Sequence, residues 1–301
     1  MDFKSLKKSS GGMSLDRLAA ELEKINTPME KQVDERFWYP AVDASGNGSA
    51  IIRFLPGPAV DGDDALPWVR IFHHGFQGPT GKWYIENSLT TLGLNDPVSE
   101  YNSKLWKSTE DDNGPERKQA RAQKRKLNYI SNIYVISDPK NPENEGKVFL
   151  FRYGKKIFDK INILMKPEFD EDQPVNPFDF WEGANFKMRI RNVDGYRNYD
   201  QSNFETPKPL FSDDKKLEEI WKSEYSLNEL VAPDKFKSYD DLNRRLKEVL
   251  DEEEVVSRKS PMEEDIPFDA DPPARRPAKA TVVDVDDEDD DLAAFRALAE
   301  D

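Results

Sequence analysis

A mainly β core carrying packed helices, an α+β fold, is predicted by three observations on this sequence. Short apolar runs rich in β-branched and aromatic residues recur between residue 37 and about 200, set apart by turns built from Gly, Pro, Asn or Ser. From about 210 to 250 the apolar spacing lengthens to three or four residues, the mark of amphipathic helices. From 251 onward Pro, Asp, Glu, Ala and Arg dominate. Such a stretch buries too little apolar surface to offset chain entropy, so residues 251–301 are expected to be a disordered tail.

In chain order, residues 1–26 read as a basic arm followed by a short helix. Lys4, Lys7 and Lys8 precede Ser9, Ser10, Gly11 and Gly12. Ser14 is then a natural N-cap for a helix with Leu15, Leu18, Leu22 and Ile25 on one face, ended by Pro28. A polar connector leads into the core, residues 27–250. The strands expected there are Ala50–Leu55 after the turn Ser45–Gly48, then Trp68–His73 and Lys82–Glu86 around the turn Gly78–Gly81. Asn132–Ser137, Lys147–Tyr153 and Phe186–Val193 follow. Many short strands of this kind make a small barrel or a sandwich. Residues 88–116 are polar and read as an irregular loop or subdomain. Helices are expected at Lys215–Lys222 and Leu227–Val231, and after the capping box Ser238/Asp241, where Leu242, Leu246, Val249 and Leu250 share a face.

A net charge of −15 argues against a polyanionic partner only if it is evenly spread. It is not: residues 251–301 hold 18 acids and 6 bases, whereas the first 250 residues hold 41 acids and 38 bases. Such asymmetry marks an interaction tail. The absence of cysteine excludes disulfides, thiol nucleophiles and cysteine-ligated zinc. The opening MDFKSLKKSSGG has no apolar signal core, and no run approaches the ~18 apolar residues of a membrane span, so no membrane partner is expected.

Three segments of the core combine cations with rings. Residues 117–126 contain Arg117, Lys118, Arg121, Lys124, Arg125 and Lys126 with no acid, and Tyr129 follows; on a helix 117, 121 and 124 would share a face. In Phe186–Arg191 the cations Lys187, Arg189 and Arg191 alternate with Met188 and Ile190, which puts three charges on one face of a strand, with Tyr196 and Tyr199 close behind. A charged edge strand protected against aggregation would look the same. In Lys147–Lys160, Lys147, Arg152, Lys155, Lys156 and Lys160 interleave with Phe149, Phe151, Tyr153 and Phe158. Single-stranded nucleic acid needs this combination: cations follow the phosphates, and rings stack bases without reading sequence. In the tail, seven acids in Asp284–Asp291 run through Asp289, Asp290 and Asp291 into Leu292, Phe295 and Leu298. An acidic run can mimic phosphate, and an apolar tip at helical spacing can dock in a partner's groove. Catalysis has little support: the two histidines, His73 and His74, are adjacent, and there is no P-loop and no HExxH. The rival classes are an acidic, chaperone-like protein for basic partners and a barrel-type nucleic-acid enzyme.

Several strings together resemble the single-stranded DNA-binding, helix-destabilising proteins of T-even-type bacteriophages. They are Asn47-Gly48 with Ile52–Pro56, His74–Phe76, Gly81–Glu86, Pro142–Phe149, Gly154–Ile157, Asp159–Ile161, Trp181–Phe186, Asn198–Asp200 and Asp234–Ser238, in order over roughly residues 45–240. The resemblance implies an OB-type barrel with a cationic, aromatic cleft for single-stranded DNA. Carried over position by position, it implies DNA contacts at Arg53, Lys124, Arg125, Lys126, Tyr129, Phe151, Tyr196 and Tyr199. Lys187, Arg189 and Arg191 join them from the strand pattern. It implies self-association through the arm, here Lys7, Lys8, Ser9 and Ser10, into a cooperative filament. It implies an acidic tail that recruits phage replication and recombination proteins in the cytoplasm of the infected bacterial host. The family's best-known members also hold a structural zinc through one His and three Cys. Here His74 stands at the His, Ser88 and Ser99 stand at two of the Cys positions, and the stretch around Asp96-Pro97 has no third. No cofactor or metal is therefore expected.

Overall fold

The computed structural model describes residues 34–251 apart from Asp170 and Asp194. The expected basic arm and acidic tail, including Lys7–Ser10 and Asp289–Leu298, lie outside the described residues. The fold below is that of the unit beginning at Arg36.

Eight strands form one antiparallel sheet: β1 (Gly48–Phe54), β2 (Val69–Gln77), β3 (Trp83–Asn87), β4 (Lys126–Ser137), β5 (Val148–Tyr153), β6 (Phe186–Val193), β7 (Tyr196–Asn198) and β8 (Asn203–Phe204). Their order is β3-β2-β4-β1-β6-β7, with β5 also on β4 and β8 also on β6. β4 is the spine. Its first half, Lys126–Ile130, pairs with β2, and its second half, Ile133–Ser137, pairs with β1. β5 pairs with its middle. A strand that changes partner along its length bends the sheet, and a register shift between Ile51 and Ile52 adds to the bend. The outcome is a mostly β half-barrel with helices around it. Asn128–Val135 are buried without interruption because both faces of β4 are covered.

The inner face holds the main core. Phe54 sits among Phe151, Tyr153, Phe178, Phe186 and Phe204, with ring centroids 5.4–6.4 Å away. Trp38, Ile133, Met188, Ile190 and Tyr199 complete it. The outer face is covered by the C-terminal segment. Asn132 donates to the Tyr225 carbonyl at 2.8 Å and accepts from the Tyr225 N–H at 3.0 Å, a two-point clasp. Five α-helices surround the sheet among the described residues: α1 (Pro97–Ser108), α2 (Pro115–Ala122), α3 (Lys155–Met165), α4 (Asp214–Lys222) and α5 (Tyr239–Leu250). Ser238 caps α5 by accepting from the Asp241 N–H at 3.2 Å, and Leu242, Leu246, Val249 and Leu250 are its buried face, as their spacing predicts.

Three expectations change. β4 begins at Lys126, six residues before the expected Asn132, because Asn128 and Ser131 are buried polar residues in a strand and mask its alternation. The segment 88–116 is not irregular: Asp96 caps α1 and Pro97 occupies its first turn, signals hidden among polar residues. The basic run 117–126 is not one helical face, since α2 stops at Ala122 and Lys124 lies beyond it. Arg117 and Arg121 do share a face, 4.7 and 5.3 Å over the Trp106 ring.

Glu224 is 7% exposed, and neither carboxyl oxygen has a hydrogen-bond partner. Burial raises its pKa to about 9, so the folded chain carries it protonated at neutral pH. The unfolded chain releases that proton near the ordinary carboxylate value, so this group's contribution is complete below about pH 4.5 and is lost as pH rises towards 9. Glu224→Gln is expected to leave stability nearly unchanged at pH 5 and to raise it by about 2–4 kcal/mol at pH 9 relative to the parent, read from denaturant midpoints.

Candidate nucleic-acid interface

The expected contact residues fall into four places. Arg53 lies in the interior, with no exposed surface. Its Nε donates to Asn185 Oδ1 (3.0 Å), Nη1 to the Asp179 carbonyl (3.1 Å) and Nη2 to the Lys208 carbonyl (2.6 Å). Arg53 is thus set apart from the other expected DNA contacts: every arm of the guanidinium is used inside the protein.

Lys187, Arg189 and Arg191 alternate with buried Phe186, Met188 and Ile190 on β6, as their period predicts. They face outward; Lys187 lies within electrostatic reach of Glu205, while Arg189 and Arg191 have no acidic partner among the described residues. Their register partners are Ile51, Ser49, Asn198 and Asn203, none of them acidic. Tyr196, 46% exposed, opposes Val193 and therefore projects on the same side.

Tyr129, Phe151 and Tyr199 point the other way, into the inner face, and are buried. As placed, these rings are core, with edges at most reaching the surface. Phe151 and Tyr199 line a small pocket with Tyr153, Gly154, Lys156 and Ile157, where β5 turns into α3. Tyr129 opposes Tyr153 on β5 and stacks on Phe158 of α3, with centroids 3.8 Å apart and planes within 4°.

Lys124 and Arg125 are exposed at the entry to β4, while Lys126 is half-buried opposite His73. Two residues that the sequence reading passed over join this group. Arg70 on β2 opposes Tyr129, so the two share a side of the sheet, and Arg70 is exposed with no ion-pair partner among the described residues. Phe72 lies 4.3 Å beneath the Arg125 guanidinium. In hindsight, Arg70 has a signal: it alternates with Trp68 and Phe72, a cation between two rings on one strand face.

Contact by contact, these groups make one strip. It runs from Arg125 on Phe72 to Arg70 beside Tyr129, across Phe158 with Trp68 edge-on at 5.6 Å, and along α3. Its far end is the turn after β7, where Lys160 donates to the Asp200 carbonyl at 3.1 Å; Tyr196 stands on the other side of the sheet, with the β6 cations. Cations and half-buried rings alternate along it.

Behind the basic end lies a buried polar hub. His74 Nδ1 meets the Gln123 carbonyl at 2.9 Å, and Nε2 meets Asp96 Oδ1 at 3.1 Å. Asp96 also accepts from the Ser99 N–H (3.0 Å) and the Leu89 N–H (3.1 Å). Burial alone would raise the Asp96 carboxyl, but its bonds with His74, Ser99 and Ser88 outweigh that and hold it near 2. Among the described residues no three His, Asp or Glu side chains converge as metal ligands.

The half-barrel with its packed helices defines an α+β module that carries a strip of rings and cations on one side. Residues 46–250 match the family described as gp32 DNA binding protein like, and the chain belongs to that family. It is 38% identical over 243 residues to the single-stranded DNA-binding protein of Enterobacteria phage T4, covering 79% of this chain and 78% of that protein. It is also 38% identical over 244 residues to the corresponding protein of Enterobacteria phage T2, with the same coverage. A match of 40% over 95 residues to a single-stranded DNA-binding protein of Escherichia phage SV14 covers 30% of this chain and 80% of that one. These are DNA-binding proteins, not enzymes.

Tyr196→Ala is expected to weaken oligo(dT) binding about tenfold if one base stacks there, measured by anisotropy of a labelled oligonucleotide.

Proposed function

We propose that this chain coats single-stranded DNA without sequence preference during phage replication, recombination and repair, in the cytoplasm of the infected host. The half-barrel is read as an OB-type barrel. The strip from Arg125 to Lys160 is the groove: its cations release counterions from the phosphates, and its rings stack the bases. The observation that carries this reading is Arg70, an exposed cation with no ion-pair partner among the described residues, beside the Tyr129–Phe158 stack, with Arg125 held on Phe72. Lys187, Arg189 and Arg191 form a second cationic face that attracts the strand. The similarity to single-stranded DNA-binding proteins of phages T4 and T2 supports DNA as the polyanion.

The arm, through Lys7, Lys8, Ser9 and Ser10, links neighbouring protomers along the strand. The acidic tail competes for the groove and, through Asp289–Leu292, Phe295 and Leu298, recruits replication proteins. Preference for the single strand pulls duplex melting forward by mass action.

The test is a tryptophan-fluorescence titration with oligo(dT) and with duplex of equal length, across salt, using the full chain and a chain ending near residue 250. Expected are single-strand preference, a negative log–log salt slope of about −0.7 per phosphate contact, and tighter binding without the tail. Failure of both forms to bind oligo(dT) would leave an acidic protein for basic partners as the better reading.

A further inference from the structure

The zinc that the family resemblance implies does not fit the residues at its position. A histidine ligand must be neutral and offer one ring nitrogen's lone pair to the metal. Both His74 nitrogens are occupied by acceptors, the Gln123 carbonyl and the Asp96 carboxylate, so a metal could take a ring lone pair only by displacing one of these contacts. Ser88, fully buried, is held by hydroxyl-to-hydroxyl contact with Thr90 at 3.0 Å. The Ser99 backbone N–H donates to Asp96. Hydroxyls are poor zinc ligands beside thiolates, and no thiol exists in the chain.

We infer that the hub is a metal-free clamp, in which the His74–Asp96 pair joins the elements that a metal would join and so positions the basic end of the groove. Its connections are specific. Asp96 caps α1, and through the Leu89 N–H it fixes the turn after β3. His74 is anchored in β2, opposite Glu86 of β3 and one residue past the last β2–β4 pair, His73 with Lys126. The Gln123 carbonyl accepts from His74 and also from Asn102 of α1 at 3.0 Å. Gln123 caps α2, and the next residues are Lys124 and Arg125. One carbonyl, gripped by two donors from different elements, therefore fixes where those cations leave the helix. His74, Asp96 and Ser88 are at most 2% exposed, so water does not compete for these bonds.

This inference rests on the proposed DNA-binding role only for its affinity readout. The full chain is produced in zinc-supplemented culture, and its metal content is measured. Its melting temperature and oligo(dT) affinity are then compared before and after phenanthroline treatment. Absence of stoichiometric zinc and unchanged melting are expected; stoichiometric zinc with a melting loss on chelation would overturn the clamp. Asp96→Asn and the milder Asn102→Ala are compared with Leu217→Ala, a core change under α4 remote from the hub. Below melting, both hub variants are expected to lose about tenfold in oligo(dT) affinity, as for one displaced phosphate contact, with a shallower salt slope. Leu217→Ala should lose stability alone. Should Asn102→Ala keep full affinity at a lowered melting temperature, the positioning role falls, and this holds even if Asp96→Asn does not fold. If the parent chain binds no oligo(dT), the DNA reading fails, while the metal and melting measurements still decide the clamp.

Discussion

Replacing Arg70, Lys124 and Arg125 together by alanine is expected to weaken oligo(dT) binding about a hundredfold near physiological salt, at roughly 1 kcal/mol per phosphate contact. It should also flatten the log–log salt slope by about 2, since each contact on a single strand contributes about 0.7. These cations are exposed, lie at one end of the strip, and are not tied up in ion pairs by acids among the described residues. Arg125 is held over the Phe72 ring, so little of its side-chain freedom remains to be lost on binding, and Arg70 stands opposite Tyr129. The contrasting triple change, Lys187, Arg189 and Arg191 to alanine, should cost less than about tenfold in affinity and act mainly on the association rate, because those charges face away from the ring-lined side. Stability should hardly move in either variant, since all but Lys187 are surface residues. Titrations at several salt concentrations, with stopped-flow association, check both.

Arg53→Ala is expected to cost about 3–5 kcal/mol of stability and to leave the oligo(dT) affinity of the folded fraction close to that of the parent. The guanidinium joins β1 to the segments around Asp179–Asn185 and Lys208, and its loss strands two carbonyls and an amide in a buried site. Burial lowers its pKa to about 10, opposed by the charges of Asp179 and Glu205, so it stays protonated at neutral pH. Gly183 is part of the same arrangement: a Cβ there would come within 2.5 Å of Arg53 Nη1 and 2.2 Å of the Asp179 carbonyl. Denaturant unfolding and an affinity measurement at low temperature separate this interior role from a phosphate contact, which would show the reverse pattern.

What the sequence reveals and what it hides follow from how local each signal is. The β6 alternation is legible because one face is buried and one wet, and the structure places Lys187, Arg189 and Arg191 outward as period two requires. The α5 capping box is legible for the same reason. β4 is not, because a strand covered on both faces loses its alternation, and its polar members Asn128, Ser131 and Asn132 find partners only in three dimensions. Arg53 reads as a free cation in one dimension because its acceptors are 126–155 residues away. α3 is hidden by the rings before it: Phe149, Phe151 and Tyr153 alternate, and Gly154 ends that pattern, after which Ile157 and Ile161 follow a helical one. Arg70 shows its position only once β2 is seen opposite Tyr129. The hub joins His74, Asp96 and Gln123 from three elements, and only its His74 is marked by the family pattern.

The central claim, that one ring-and-cation strip takes the strand, is tested most directly by photo-crosslinking the full chain to oligonucleotides carrying 5-iodouracil and mapping the adducts by mass spectrometry. Aromatic residues crosslink only when a base lies against them. Adducts are expected at Phe158 and Trp68, reduced in the Arg70/Lys124/Arg125 variant. Adducts confined to exposed rings elsewhere, such as Trp181 and Trp221, with none along the strip, would contradict it.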